Sequence, residues 1–175
     1  MNTSSKSWCN LSINFKSSCN TIIGKGNSPH AAVSPFTQSA TQLFPLGTKL
    51  QYADRTFRYG FSGEANNAGV LLEGAALSNA NHRDAAVQAA AAAGTREISV
   101  TIGATAVTLN QFAEGYVHIN DDTNNVNSQG KLMRIRSNPA HAGSGTLTLT
   151  LYDEIEVEIP TTAKADLISN IYKDV

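Results

Sequence analysis

The chain has 175 residues, 41% of them hydrophobic and only 15% charged, with a formal net charge of −1. That length suits one domain, or one domain plus an extended arm, and is enough to bury a core without disulfide staples. No apolar run approaches the ~20 residues of a membrane-spanning helix, and Met1–Asn20 lacks the apolar stretch of a secretory signal, so neither is expected. The low charge, set against a usual share of roughly 25%, favours a stiff β-rich structural domain over a helical enzyme.

Residues 1–47 read as an extended N-terminal arm. Ser, Asn and Thr dominate it, and Pro29, Pro35 and Pro45 exclude long helices and central strands. Leu11, Ile13 and Phe15 alternate with polar residues, and Thr21–Ile23 forms a second short apolar cluster. Trp8, the only tryptophan, is suited to anchoring in a pocket. Cys9 and Cys19 are ten residues apart, a spacing that fits no zinc motif; an intra-arm disulfide and two free thiols both fit, and free thiols are preferred. The first acidic residue is Asp54, so Lys6, Lys16, Lys25 and Lys49 leave the first 53 residues at +4, and the remainder carries −5. This asymmetry points to an arm that docks on an acidic surface. Four spread lysines without arginine are too thin a footprint for nucleic acid, which is not expected as a direct partner.

A β-rich body is expected over residues 48–175. Phe57, Tyr59 and Phe61 alternate with polar neighbours or glycine, as do Ile98, Val100 and Ile102. The apolar run Ala68–Leu77 and the segment Ala104–Leu109 read as further β structure, and so do Tyr116–Asn120 and Lys131–Arg136, which flank the polar loop Asp121–Gly130. Leu147, Leu149 and Leu151 share one face of a strand. Ile155, Val157 and Ile159 share the core face of the next, joined to it by a tight connection at Tyr152-Asp153. Glu154, Glu156 and Glu158 then form an acidic stripe on the opposite face. Ala85–Ala93, closed by Gly94, predicts a short alanine-rich helix on the barrel flank; an extended segment using small side chains is the competing reading. Thr161–Asn170 fits a helix or a final strand.

Motifs for chemistry fail on inspection. His82-Arg83-Asp84 copies the start of a kinase catalytic loop, but Ala89 stands where the asparagine is required. Gly24-Lys25-Gly26 lacks the phosphate-loop frame. Asp121–Asn125 offers calcium ligands, but Val126 and Leu132 occupy the positions where an EF-hand needs Gly and Glu. His30, His82, His118 and His141 match no metal spacing. The Glu154–Glu156–Glu158 stripe has no aromatic sugar cleft beside it, so a solubilising or arm-binding face is the stronger reading. No catalytic residue, cofactor or metal is expected, and the chain is not expected to be an enzyme.

Several segments in order are familiar: Phe57–Gly60, Ala68–Glu73, Asn81-His82, Ala86–Thr95, Val100–Asp121, Arg134–Ala140 and Leu147–Thr162. Over roughly residues 48–175 this resembles small virion structural proteins of tailed bacteriophages, some of which are capsid decoration, or cement, proteins. The resemblance implies a compact β-barrel or β-sandwich, often a homotrimer, on the capsid exterior. Such a protein clamps neighbouring major capsid subunits, with no cofactor and no membrane contact. A fibre or receptor-binding module and a head–tail component are the alternatives. The arm lies outside the match. Its expected contacts are Lys6, Lys16 and Lys25, the apolar anchors Trp8, Phe15 and Phe36, and the stripe Glu154, Glu156 and Glu158 as a partner surface.

Overall fold

Alternation of apolar and polar residues becomes strand wherever a neighbour completes the ladder. In the computed structural model the described residues are 6–9, 35, 39, 41–62, 73, 74, 76–121 and 127–174. Their strands are β1 (Lys6–Cys9), β2 (Lys49–Tyr52), β3 (Arg55–Phe61), β4 (Ala85–Val87), β5 (Glu97–Ile102), β6 (Tyr116–Asp121), β7 (Leu132–Ser137), β8 (Gly145–Leu151) and β9 (Lys164–Ile168). The protein is mainly β, as its composition implies. The chain divides into two compact units, one of Met1–Ala75 with Tyr172–Val175 and one of Ala76–Ile171.

The first unit holds a three-stranded antiparallel sheet in the order β1-β3-β2. Residues 58–61, assigned to the body from sequence, here pair with Lys6–Cys9 from the arm: Trp8 stands opposite Tyr59, and Cys9 opposite Arg58. Period-2 burial of Phe57 and Tyr59 packs them with Leu46, and Phe44, Leu50, Phe61 and Tyr172 surround this small core. Phe44 meets the Tyr59 ring edge-on at 5.6 Å, and the Tyr59 hydroxyl accepts the Leu43 N–H at 3.0 Å. Gly47 lies at φ +80, where the Tyr172 ring comes within 2.8 Å of the position a Cβ would take, so only glycine fits without displacement.

The second unit is a closed six-stranded barrel in the order β4-β5-β8-β7-β6-β9, with every pair antiparallel. Its interior is built by the inward faces of the strands: Ile98, Val100 and Ile102 from β5, Leu147, Leu149 and Leu151 from β8, Val117 and Ile119 from β6, Ala165 and Leu167 from β9. Between Ile119 and Asp121 the β6–β9 register shifts, leaving Asn120 as the extra residue of a bulge.

Two expected elements differ. The alanine-rich helix is absent; Ala85–Val87 is a strand that closes the barrel between β5 and β9, and beyond it Ala91 bridges Ile159. A nine-residue helix is too short to persist alone. In the barrel, Ala85 and Val87 instead reach 3% and 2% exposure while their backbone completes two ladders. The only helical turn among the described residues is 3-10, at Ala80–His82, capped by the Asn79 side chain. The second difference is at Glu154–Ile159, which is not a regular strand and does not pair back onto β8 as a hairpin. It runs beside residues 91–95: Ala91 and Ile159 exchange two hydrogen bonds, and Ile155 bonds once each to Gly94 and Thr95. Ile155 and Ile159 are still buried, so the alternation reports burial here rather than a ladder. Thr161–Asn170 resolves to strand β9. Of the apolar run Ala68–Leu77, residues 73, 74, 76 and 77 lie outside any strand, and 68–72 and 75 are outside the described residues.

Among the described residues of the barrel, His82 is the one fully enclosed titratable side chain, 1% exposed, with its ring edge-on to Phe112 at 5.2 Å. Nε2 lies 3.4 Å from the Thr105 carbonyl, which can only accept, so Nε2 carries the proton. Burial pulls the imidazole pKa below its ordinary 6.5, against a smaller opposing effect of that hydrogen bond. The unfolded chain therefore binds this proton more readily than the folded one. Stability from this group is complete above about pH 6.5 and declines as pH falls from there toward the lower folded value. Urea midpoints measured between pH 8 and pH 5 should drop, and a His82→Phe variant should show a shallower drop; equal slopes in the two proteins would refute the assignment.

Candidate functional site

The acidic residues singled out in the sequence lie on the segment leaving β8. Glu154 and Glu156 are exposed, and each meets a cation: Arg96 Nη2 is 3.2 Å from Glu154 Oε1, and Lys131 Nζ is 2.7 Å from Glu156 Oε2. The Lys131 hydrogen bond, reinforced by its charge, holds the Glu156 carboxyl below the usual range. Glu158 is exposed on the same segment. The three carboxylates therefore border an irregular segment and are not a stripe on a flat strand face.

Beneath them lies a cleft of about 210 Å³, lined by Lys131, Leu132 and Met133 on one side and by residues 153–157 and Ile159 on the other. Its existence follows from where pairing stops. β8 meets β7 only at Ile135 and Ser137, with a register shift between them, and after Leu151 the chain turns away. The wall consequently parts below Ile135. Half-buried Met133 and Val157, over the buried Ile155 and Ile159, give the cleft an apolar floor, and Asp153, Glu154, Glu156 and Lys131 give it a charged rim.

Above the cleft the outer wall carries a cluster the sequence reading did not assemble. Tyr116 stands opposite Arg134, and His118 opposite Leu132. The Arg134 guanidinium lies 4.9 Å from the centre of the Tyr152 ring, and the Tyr152 N–H donates to the Arg134 carbonyl at 3.0 Å. Arg134 Nη2 reaches to 3.9 Å of Glu114 Oε2, and its Nε is buried with no partner among the described residues. Leu132 is 56% exposed, Tyr116 39% and Tyr152 38%. Tyr116, Tyr152 and Arg134 on one wall are of the residue types enriched at interaction hot spots. The sequence signal for it was faint: Lys131–Arg136 places Leu132 beside Met133, so one of the two must face outward, but Tyr152 lies just past the end of β8, eighteen residues after Arg134.

A second polar cluster reads as structural. The Asn120 amide donates to Asp84 Oδ1 at 2.6 Å and to Asp166 Oδ1 at 3.1 Å, and the Asp84 N–H donates to Asp166 Oδ1 at 2.9 Å. These bonds pin the residue before β4, held at φ 50, to β9 and to the β6 bulge. His118 Nδ1 stands 3.8 Å from Asp166 Oδ2. No group of three or more His, Cys, Asp or Glu side chains among the described residues could hold a metal ion.

Lys6 and Trp8 lie in β1. Phe15, Lys16, Lys25 and Phe36, together with Cys19 and the loop residues 122–126, fall outside the described residues. Among the described residues no helix is long and apolar enough to cross a membrane. Comparison of the chain with protein families, with curated proteins and with solved structures finds no match.

Proposed function

We propose that the chain is a structural virion protein that decorates a tailed-phage capsid from outside and stabilises it by binding neighbouring major capsid subunits, acting as a homotrimer without cofactor, nucleic-acid contact or membrane contact. The main support is the outward cluster of Tyr116, Leu132, Arg134 and Tyr152 on a closed barrel wall. The barrel closes on itself except where β7 and β8 part, so it engages neighbours through its faces, that gap and added segments. A rigid wall carrying aromatic anchors suits many weak contacts multiplied by symmetry. The N-terminal arm supplies further anchors in this reading, with Trp8 the foremost.

Light scattering of the full chain should give a trimer, and incubation with undecorated capsids followed by sedimentation should carry the protein down with the particles. Tyr152→Ala and Trp8→Ala should each weaken retention by about tenfold or more, the scale of losing one hot-spot side chain. Retention unchanged in both variants, or no co-sedimentation of the parent chain, would refute the reading.

A further inference from the structure

The cleft beside β7 also exposes backbone. Ile135 donates to Gly115 and accepts from Glu114, and Lys131 accepts from Ile119, so positions 131 and 135 point their polar groups toward β6. Antiparallel pairing alternates, which turns Leu132 and Arg134 toward the β8 side. The Arg134 carbonyl is taken by the Tyr152 N–H, and the chain then departs. Leu132 thus presents its N–H and C=O to the cleft. A site with a backbone donor and acceptor, an apolar floor and a mainly acidic rim fits an extended segment that alternates apolar residues and ends in a cation.

We infer that this cleft receives the segment Leu11–Lys16 of a second copy of the chain. Its residues run Leu-Ser-Ile-Asn-Phe-Lys, a strict alternation that places Leu11, Ile13 and Phe15 on one face. That face meets Met133 and Val157, the half-buried apolar residues of the cleft, over the buried Ile155 and Ile159. Lys16 meets a rim where Arg96 and Lys131 pair Glu154 and Glu156 and Asp153 is the acid in excess, and no acidic residue precedes Asp54 to oppose the approach. The contact joins two different surfaces, so it is heterologous, and repeated about a threefold axis it closes a trimer. The inference rests on the homotrimer of the reading above and names the contact that builds it.

The test uses full-length protein carrying p-benzoylphenylalanine at position 15 under one affinity tag, mixed with unmodified chain under another and irradiated. Covalent pairs between the two tags, with cross-links mapping to Met133 and Val157, are expected. Val157→Arg in the acceptor copy, or Lys16→Glu in the donor, should reduce the pairs by about tenfold; the Lys16 variant guards against a folding defect at the cleft. Cross-links within one chain only, cross-links outside the cleft, no cross-link, or a yield indifferent to both variants would overturn the inference. Sedimentation with capsids, run on the same samples, separates this outcome from decoration: binding without cross-links overturns the arm contact alone, and cross-links without binding overturn decoration alone.

Discussion

Replacing Leu149 by alanine should lower the unfolding free energy of the barrel by about 2–5 kcal/mol, the range for truncating a fully enclosed leucine. Leu149 sits mid-strand on β8, opposite Ile98 of β5 and flanked on the same inward face by Leu147 and Leu151, all at 0–1% exposure. The six strands close around it, so the wall cannot collapse into the space left behind without breaking ladders on both sides. Cavity creation adds to the lost transfer energy for that reason, and against a typical total of about 5–15 kcal/mol the loss is severe. Thr148, one residue earlier, is the control. Its hydroxyl meets Ser99 Oγ at 2.9 Å on the outer face, and Thr148→Ala should cost about 1 kcal/mol or less. Urea unfolding followed by far-UV circular dichroism decides the matter through the midpoints at unchanged slope. Equal midpoints for the two variants would mean that the interior is not packed as described.

Asn138→Ala is expected to cost about 2–4 kcal/mol by a different mechanism, the stranding of buried backbone groups. Asn138 follows β7 and is 2% exposed. Its Oδ1 accepts the Phe112 N–H at 2.8 Å, and its Nδ2 donates to the carbonyls of Thr108 at 3.0 Å and Pro139 at 2.8 Å. Its own carbonyl accepts the Asn110 N–H at 2.9 Å. One side chain thus clasps the loop after β5 onto the barrel and holds Phe112, 1% exposed, against His82. Alanine removes the amide and leaves the Phe112 N–H and the Thr108 carbonyl without these partners. Hydrogen exchange at the Phe112 amide reads the effect locally: protection should collapse there while the β5 and β8 amides keep theirs. Retained protection at Phe112 would show that the clasp is dispensable.

The sequence by itself determined the strands whose alternation is long and whose inward residues are bulky. β3, β5, β6, β7 and β8 are legible in Phe57–Phe61, Ile98–Ile102, Tyr116–Asn120, Lys131–Arg136 and Leu147–Leu151, because a period of two buries one face whatever the partner strand proves to be. It also determined that Ile155 and Ile159 are inside and that Glu154, Glu156 and Glu158 are outside. Tertiary structure alone decided the rest. Ala85–Val87 has the local preference of a helix, yet two free ladders, on β5 and β9, offer its backbone partners that a nine-residue helix cannot match. Glu154–Ile159 has the local pattern of a strand, but among the described residues its backbone bonds only at Ala91, Gly94 and Thr95 and builds no continuous ladder. The cleft and the Arg134–Tyr152 contact exist only because β8 ends before β7 does, and where two strands part depends on register between distant segments, which local composition does not encode.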